Sequence, residues 1–211
     1  MTAFITHCWK STRPELVGLL AFSCLLWGQP EIARAQSPTT EISNFKLERS
    51  DDSLLLTASV KFELSAAIEE ALQKGIPMIF VAEAEVLRER WYWTNKKVFS
   101  AERHMRLAYQ PLTRRWRLNV ASGLITSSSL GLALNQSFEA LPEALAAVQR
   151  LSRWKIADVS DVDLEQRYLV EFRFRLDLAQ LPRPFQIGML GQTDWNISAA
   201  MSQALVLENA K

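Results

Sequence analysis

Residues 41–211 predict a mainly β protein, an antiparallel β-sandwich that is immunoglobulin-like in broad architecture and carries two short helices. Three observations lead there. Apolar side chains recur at every second position in several segments, as strands with one buried face require. Helical spacing is confined to two short stretches. With so little helix, nothing covers both faces of a parallel sheet, so packed antiparallel sheets are the consistent solution. A partly closed β-barrel is the alternative, because alternation neither counts strands nor fixes closure.

The first 35 residues stand apart. Lys10 and Arg13 precede an apolar stretch from Leu16 to Trp27, and Ala33-Arg34-Ala35 follows. A charged start, an apolar middle and small residues flanking a cut define a secretory signal peptide, with cleavage expected after Ala35. The apolar run is roughly a dozen residues, short of the ~20 a bilayer-spanning helix needs. No direct membrane span is therefore expected after cleavage, and an uncleaved inner-membrane anchor is the alternative. Cys24 does not suit lipidation, since Leu25, Leu26 and Trp27 continue the apolar run past it. Residues 36–40 read as a polar linker, and no internal repeat or later linker divides 41–211, which is taken as a single β-rich domain.

In that domain, Leu54, Leu56, Ala58, Val60, Phe62 and Leu64 alternate with Leu55, Thr57, Ser59, Lys61 and Glu63, a half-buried strand. Ser65 to Lys74 reads as a helix, capped by the serine and stopped by Gly75 before Pro77. Ile76 to Arg90 reads as a strand from its apolar and aromatic content. Phe99, Ala101, Met105, Leu107 and Tyr109 alternate more loosely, and Trp116, Leu118 and Val120 make a short strand. Leu130 to Phe138 is a further strand. Pro142 to Leu151 is the second helix, with Leu141, Leu145 and Val148 sharing a face and Pro142 in its first turn. Tyr168, Val170, Phe172, Phe174, Leu176 and Leu178 mark the last clear strand, opposed by Arg167, Glu171, Arg173, Arg175 and Asp177.

Removing the leader removes Cys8 and Cys24, the two cysteines of the chain. Thiol catalysis, thiolate metal sites and disulfide exchange are thereby excluded from the remainder, which at about 175 residues is large enough to build its own core without disulfides. Taking Lys10, Arg13 and Arg34 from the 24 basic residues, and Glu15 and Glu31 from the 23 acidic ones, leaves equal numbers. A neutral total gives no global attraction to nucleic acid, and no nucleic-acid partner is expected.

Chemistry-bearing motifs are sparse. His104 is the one histidine after the leader, on a polar face read as solvated with Ser100, Glu102, Arg106 and Ala108. A lone histidine makes neither a catalytic set nor a histidine-rich metal centre without partners placed by the fold. No phosphate loop, His-Glu-x-x-His helix or nucleophile elbow occurs. Asp158, Asp161, Asp163 and Glu165 cluster, but without the glycine and terminal glutamate of a calcium loop they read as a solvated acidic turn. Asn135-Gln136-Ser137 fits a glycosylation sequence whose meaning depends on the host. No catalytic residue, metal ligand or cofactor is therefore assigned.

The distinctive chemistry is Arg88-Glu89-Arg90-Trp91-Tyr92-Trp93, then Lys96-Lys97 and Arg114-Arg115-Trp116-Arg117. Arginine and tryptophan are enriched where proteins hold partners, so Arg88, Arg90, Trp91, Trp93, Arg115 and Trp116 are the candidate binding residues. The structural alternative packs the tryptophans in the core and pairs the arginines with aromatic faces or with Glu83, Glu85 and Glu102.

Ala71-Leu72-x-x-Gly75-Ile76-Pro77, Glu85, Arg88-x-Arg90-x-x-Trp93, Leu181-Pro182-x-Pro184 and Asp194-Trp195-Asn196 together resemble the exported bacterial family called domain of unknown function 4390. The resemblance covers nearly all of the domain and implies an envelope protein without assigned activity. The family's genes often lie beside those of a membrane sensor kinase and its response regulator, which implies a sensory partner. The tail Ala199-Ala200-Met201-Ser202 departs from the family's pattern, in which another tryptophan is expected. From the residues themselves, Gly75 ends a helix, Pro77 sets the start of a strand, and Pro182 and Pro184 follow the end of one.

Three functions stay open at this point. The first is a non-enzymatic periplasmic interaction module whose Arg/Trp surface engages a membrane sensor protein or another envelope component. The second is a carrier of a small apolar ligand in a cavity lined by Phe62, Phe80, Phe172 and Phe174. The third is a glycan hydrolase using Glu83, Glu85 or Glu102, which needs two carboxylates roughly 5 to 9 Å apart in a cleft.

Overall fold

A computed structural model describes residues 40–50, 52–92, 94–124, 133–159, 166–183 and 193–205. All belong to one unit spanning Ser37–Lys211. The segment 1–35 expected to be a signal peptide, most of the expected linker, Trp93, the first residues of the strand expected at 130–138, Pro184 and the acidic residues Asp161, Asp163 and Glu165 lie outside the described residues.

In chain order the elements are β1 (Glu41–Ser50), β2 (Ser53–Lys61), α1 (Ala66–Gln73), β3 (Met78–Arg88), β4 (Lys96–Gln110) and β5 (Arg115–Ser122). They continue with β6 (Leu134–Phe138), α2 (Leu141–Gln149), β7 (Arg150–Asp158), β8 (Tyr168–Leu176) and β9 (Ser198–Leu205). Every strand pairing is antiparallel, giving a three-stranded sheet ordered β1-β2-β7 and a six-stranded sheet ordered β6-β5-β4-β3-β8-β9. The expected sandwich is what forms. The barrel alternative is not: each sheet keeps two edges, β1 and β7 in one, β6 and β9 in the other. The three-plus-six division also differs from the four-plus-three division of immunoglobulin constant domains, so the likeness is limited to two antiparallel sheets packed face to face.

Strand alternation sorts the residues. On β3, Met78, Phe80, Ala82, Ala84 and Val86 face the three-stranded sheet and are buried, while Glu83 and Glu85 point outward. Phe62, just past β2, touches Phe80 and Phe174 at ring-centroid distances of 5.3 and 5.5 Å, and Phe80 stacks on Phe174 at 5.9 Å. Phe45 on β1 reaches Phe172 on β8 at 5.9 Å. These rings join the two sheets.

Helix α1 begins as its sequence dictates, with the Ser65 Oγ accepting a hydrogen bond from the Ile68 N–H at 3.3 Å. It ends in a Schellman arrangement: the Gly75 N–H donates to Leu72 O at 2.9 Å and the Ile76 N–H to Ala71 O at 3.1 Å. Gly75 takes φ +82°, where a side chain is strained. Helix α2 carries Pro142 in its first turn and buries Ala144 and Val148.

Three strands escape the alternation rule. β1 shifts register between Ser43 and Lys46, where Asn44 has φ 52°; β7 shifts twice against β2, with Arg153 at φ 45°. Each bulge reverses the inward phase, which hides a strand from a period-two reading. β9 is built of small and polar residues and is largely exposed. The second helix correspondingly stops at Gln149, two residues short of the expected boundary, and Leu151 is a fully buried residue of β7.

Phe174→Ala should lower the unfolding free energy by about 3–5 kcal/mol, since it empties the junction of the sheets. Gly75→Ala should cost about 1–2 kcal/mol through backbone conformation alone, because an added Cβ would meet nothing closer than Tyr109 O at 3.9 Å. Urea denaturation measures both.

Candidate functional site

The Arg/Trp residues singled out by sequence do not form one surface. Residues 89–95 connect β3 to β4 at one end of the six-stranded sheet, whereas Arg115 and Trp116 open β5 beside Tyr109 and Gln110 at the opposite end. The fifteen residues of β4 separate the two groups by about 45 Å at ordinary strand rise. Trp116 is 7% exposed, packed against Tyr109 with centroids 4.9 Å apart, and joins the core. Arg115 pairs with Glu139 at 2.7 Å. The phase of β5 turns Trp116 into the core, while Arg115 stays half exposed and engaged by Glu139.

The connection between β3 and β4 is different. Past Arg88 the strand pairing ends, and Trp91 and Tyr92 stand 83% and 76% exposed, edge to face with centroids 4.3 Å apart. The Glu89 N–H donates to Arg167 O at 3.0 Å, tying this tip to the start of β8. Arg90, Lys96 and Arg167 are exposed around it and Arg88 is half-buried. None of these four makes an ion pair with a described residue; Lys97, next along, is held by Glu85 at 2.6 Å. The tip therefore joins exposed aromatic area to four cations that have no ion-pair partner among the described residues, with the exposed Glu89 between two of them.

The outward face of the six-stranded sheet holds the three carboxylates considered for hydrolysis. Glu83 and Glu102 are cross-strand neighbours on β3 and β4. Glu83 accepts from the Arg175 Nε and Nη2 at 3.2 and 2.9 Å, and Glu102 Oε2 lies 3.4 Å from His104 Nε2. Burial by itself lowers the Arg175 guanidinium, but the hydrogen bonds and charges of Glu83 and Asp177 overcome it and hold that group above the ordinary arginine value. His104 is not solvated as its polar neighbours suggested. It is 2% exposed, because β4 is an interior strand and Val81 and Ala121 flank it on β3 and β5. Its Nδ1 has no hydrogen-bond partner among the described residues.

Of the phenylalanines assigned to a ligand cavity, Phe62, Phe80 and Phe174 touch one another and Phe172 meets Phe45, and all four are nearly or fully buried. Among the described residues no group of three or more His, Cys, Asp or Glu is placed to hold a metal ion, and no helix is long and apolar enough to cross a membrane.

One feature lies outside the residues the sequence singles out. Between β4 and β7 an open cleft of about 490 Å³ is lined by Phe99, Arg103, Ser122 and Trp154, with Lys155 and Asp158 at its rim. The Arg103 guanidinium carbon lies 5.1 Å from the centre of the Trp154 ring. Burial lowers the Arg103 guanidinium below the ordinary arginine value. The sequence does carry a signal for it: position 103 interrupts the apolar phase Phe99, Ala101, Met105, Leu107 with a charge.

A family model described as Domain of unknown function (DUF4390) matches residues 37–204. No curated protein and no solved structure matches the chain. The matched motif residues Leu181 and Trp195 are buried in the core, at 4% and 5% exposure.

The two tryptophans on which the candidate surface is split should respond oppositely. Trp116→Ala should cost about 3–5 kcal/mol of stability, while Trp91→Ala should stay within about 0.5 kcal/mol of the parent, both read from urea midpoints.

Proposed function

We propose that this chain, which belongs to the family described as domain of unknown function DUF4390, is a non-enzymatic interaction module of the bacterial periplasm. The segment 1–35 exports it, and the tip between β3 and β4 docks on the acidic surface of a membrane sensor protein. The observation that carries this reading is the tip itself: Trp91 and Tyr92 exposed side by side, with Arg88, Arg90, Lys96 and Arg167 free of ion pairs to described residues. Leaving a large ring in water forgoes roughly 1.5–3 kcal/mol that burial returns, so an exposed pair is a reserve of binding energy. The surrounding cations select a negatively charged partner and speed its approach. Support for a non-enzymatic role comes from Glu83 and Glu85, each already held by a basic side chain.

A photo-crosslinking residue at Tyr92, introduced in the source cell, tests this. The expected result is one membrane sensor protein crosslinked, with the product lost in Trp91→Ala and in Arg90→Glu and weakened by added salt. Crosslinking to that protein that is unaffected by either substitution, or none at the tip, would remove the assignment.

A further inference from the structure

We infer that the cleft between β4 and β7 is a second, independent binding site, built to take an extended peptide segment that carries a carboxylate, with Arg103 as the carboxylate hook and Trp154 as the floor. This inference does not rest on the tip of the β3–β4 connection and stands or falls separately from it.

Arg103 occupies a place where a charge is costly. It lies across from Ala82 on β3 and Ser122 on β5, on the same face of the sheet as Ala101 and Met105. A cation on an apolar face is tolerated only when something compensates it. Trp154 compensates one side, since a guanidinium over an indole face gains from the ring's electron density. With its carbon over the ring, the guanidinium still offers N–H donors of the kind that grip a carboxylate in a bidentate pair. No described residue fills that role. Asp158, the carboxylate lining the cleft, is taken by Lys155 at 2.6 Å. The cation is therefore positioned and partly buried, yet without an anion among the described residues.

The walls of the cleft specify the rest of the ligand. β5 pairs with β4 from Arg103 to Gln110, and the Gly123 N–H reaches Glu102 O at 3.3 Å, after which Lys96–Ala101 of β4 has no described partner on that side. Among the described residues β7 is the edge of the three-stranded sheet and pairs with β2 on one side alone. Two lengths of strand that have no backbone partner among the described residues on their outer sides thus border the same cleft. Unpaired edges take extended chains by strand addition, in which the backbone supplies affinity and side-chain pockets supply selectivity. The 490 Å³ of the cleft lies within the roughly 300–1,000 Å³ usual for ligand sites. A strand carrying a carboxylate, at its end or on a side chain, meets all three features together.

The test is a titration of the full chain followed by NMR, reading backbone amides and the Arg103 Nε–H. The probes are an acetylated Thr-Val-Thr-Val-Ala peptide with a free terminal carboxylate, its terminal amide, an amide-capped Thr-Val-Asp-Val-Thr peptide, and inorganic phosphate. The expected result is saturable binding of at least one carboxylate peptide, with shifts at Lys97–Ala101, Lys155–Ala157 and Arg103. The uncharged amide and the Arg103→Met variant should each bind at least about tenfold more weakly, and Arg103→Lys should lose part of the affinity because it keeps the charge without the fork. The free-acid and aspartate peptides distinguish a chain terminus from a side chain as the source. Equal affinity for charged and uncharged peptides would overturn the hook. Phosphate binding at Arg103 with no peptide binding tighter than about 1 mM, or peptide shifts confined to other parts of the sheet, would overturn the peptide site.

Discussion

Contact between Phe62 and the Phe80–Phe174 pair is the constraint on which the rest of this molecule depends. Phe62 leaves β2 and reaches across to two neighbouring strands of the other sheet, so one side chain sets the distance between the sheets. The same residue holds one helix and lies just ahead of the other. Its carbonyl accepts from the Gln149 side chain at 2.8 Å, which holds the end of α2, and α1 begins a few residues later behind the Ser65 cap. With the inward phase of β3 and β8 committed to this junction, period two sends Glu83, Glu85, Glu171, Arg173 and Arg175 to the opposite face. There they pair with one another and with Lys97. Charge is kept out of the core by geometry.

Unequal sheets account for most of the functionally suggestive features. Three strands cannot cover the inner face of six, and the uncovered area is handled in different ways. α2 packs against β5 and β6 on one side, and α1 packs near β4 and the Thr193–Trp195 turn on another. Between them, at the edge strand β7, the cover stops and the cleft opens onto Arg103 and Trp154. A sandwich of matched sheets would bury position 103 completely and could not keep an arginine there. The mismatch in strand number therefore creates a place where a partly buried cation is tolerated.

Legibility follows the regularity of the backbone. β2 and β8 keep an unbroken phase and their inward residues can be read directly, as can α1 from its serine cap and terminal glycine, whereas β3, buried at each of its first five residues, shows in its composition that it is a strand but not which face is inward. β1 and β7 carry bulges, and β9 has side chains too small and polar to show a phase. The candidate site is legible in composition and illegible in arrangement. Arg90, Trp91, Arg115 and Trp116 look like one population in the sequence, yet β4 puts the first two at one end of the sheet and the last two at the other. His104 eludes a sequence reading for a related reason: polar sequence neighbours share its face along β4, but its burial is decided by Val81 and Ala121 on the adjacent strands.

By itself the sequence determined the class of fold, the two helices, the exclusion of thiol chemistry from everything after Cys24, and the inward residues of β2 and β8. These come from local rules, namely which side chains alternate, which residues cap a helix, and which atoms are absent. Tertiary structure alone decided that the sheets hold three and six strands, that Trp116 is core while Trp91 is surface, and that Arg103 meets Trp154 across a cleft. Each of those depends on which strands become neighbours, and strand order is set by contacts between residues far apart in the chain, such as Arg103 and Trp154, that no local pattern records.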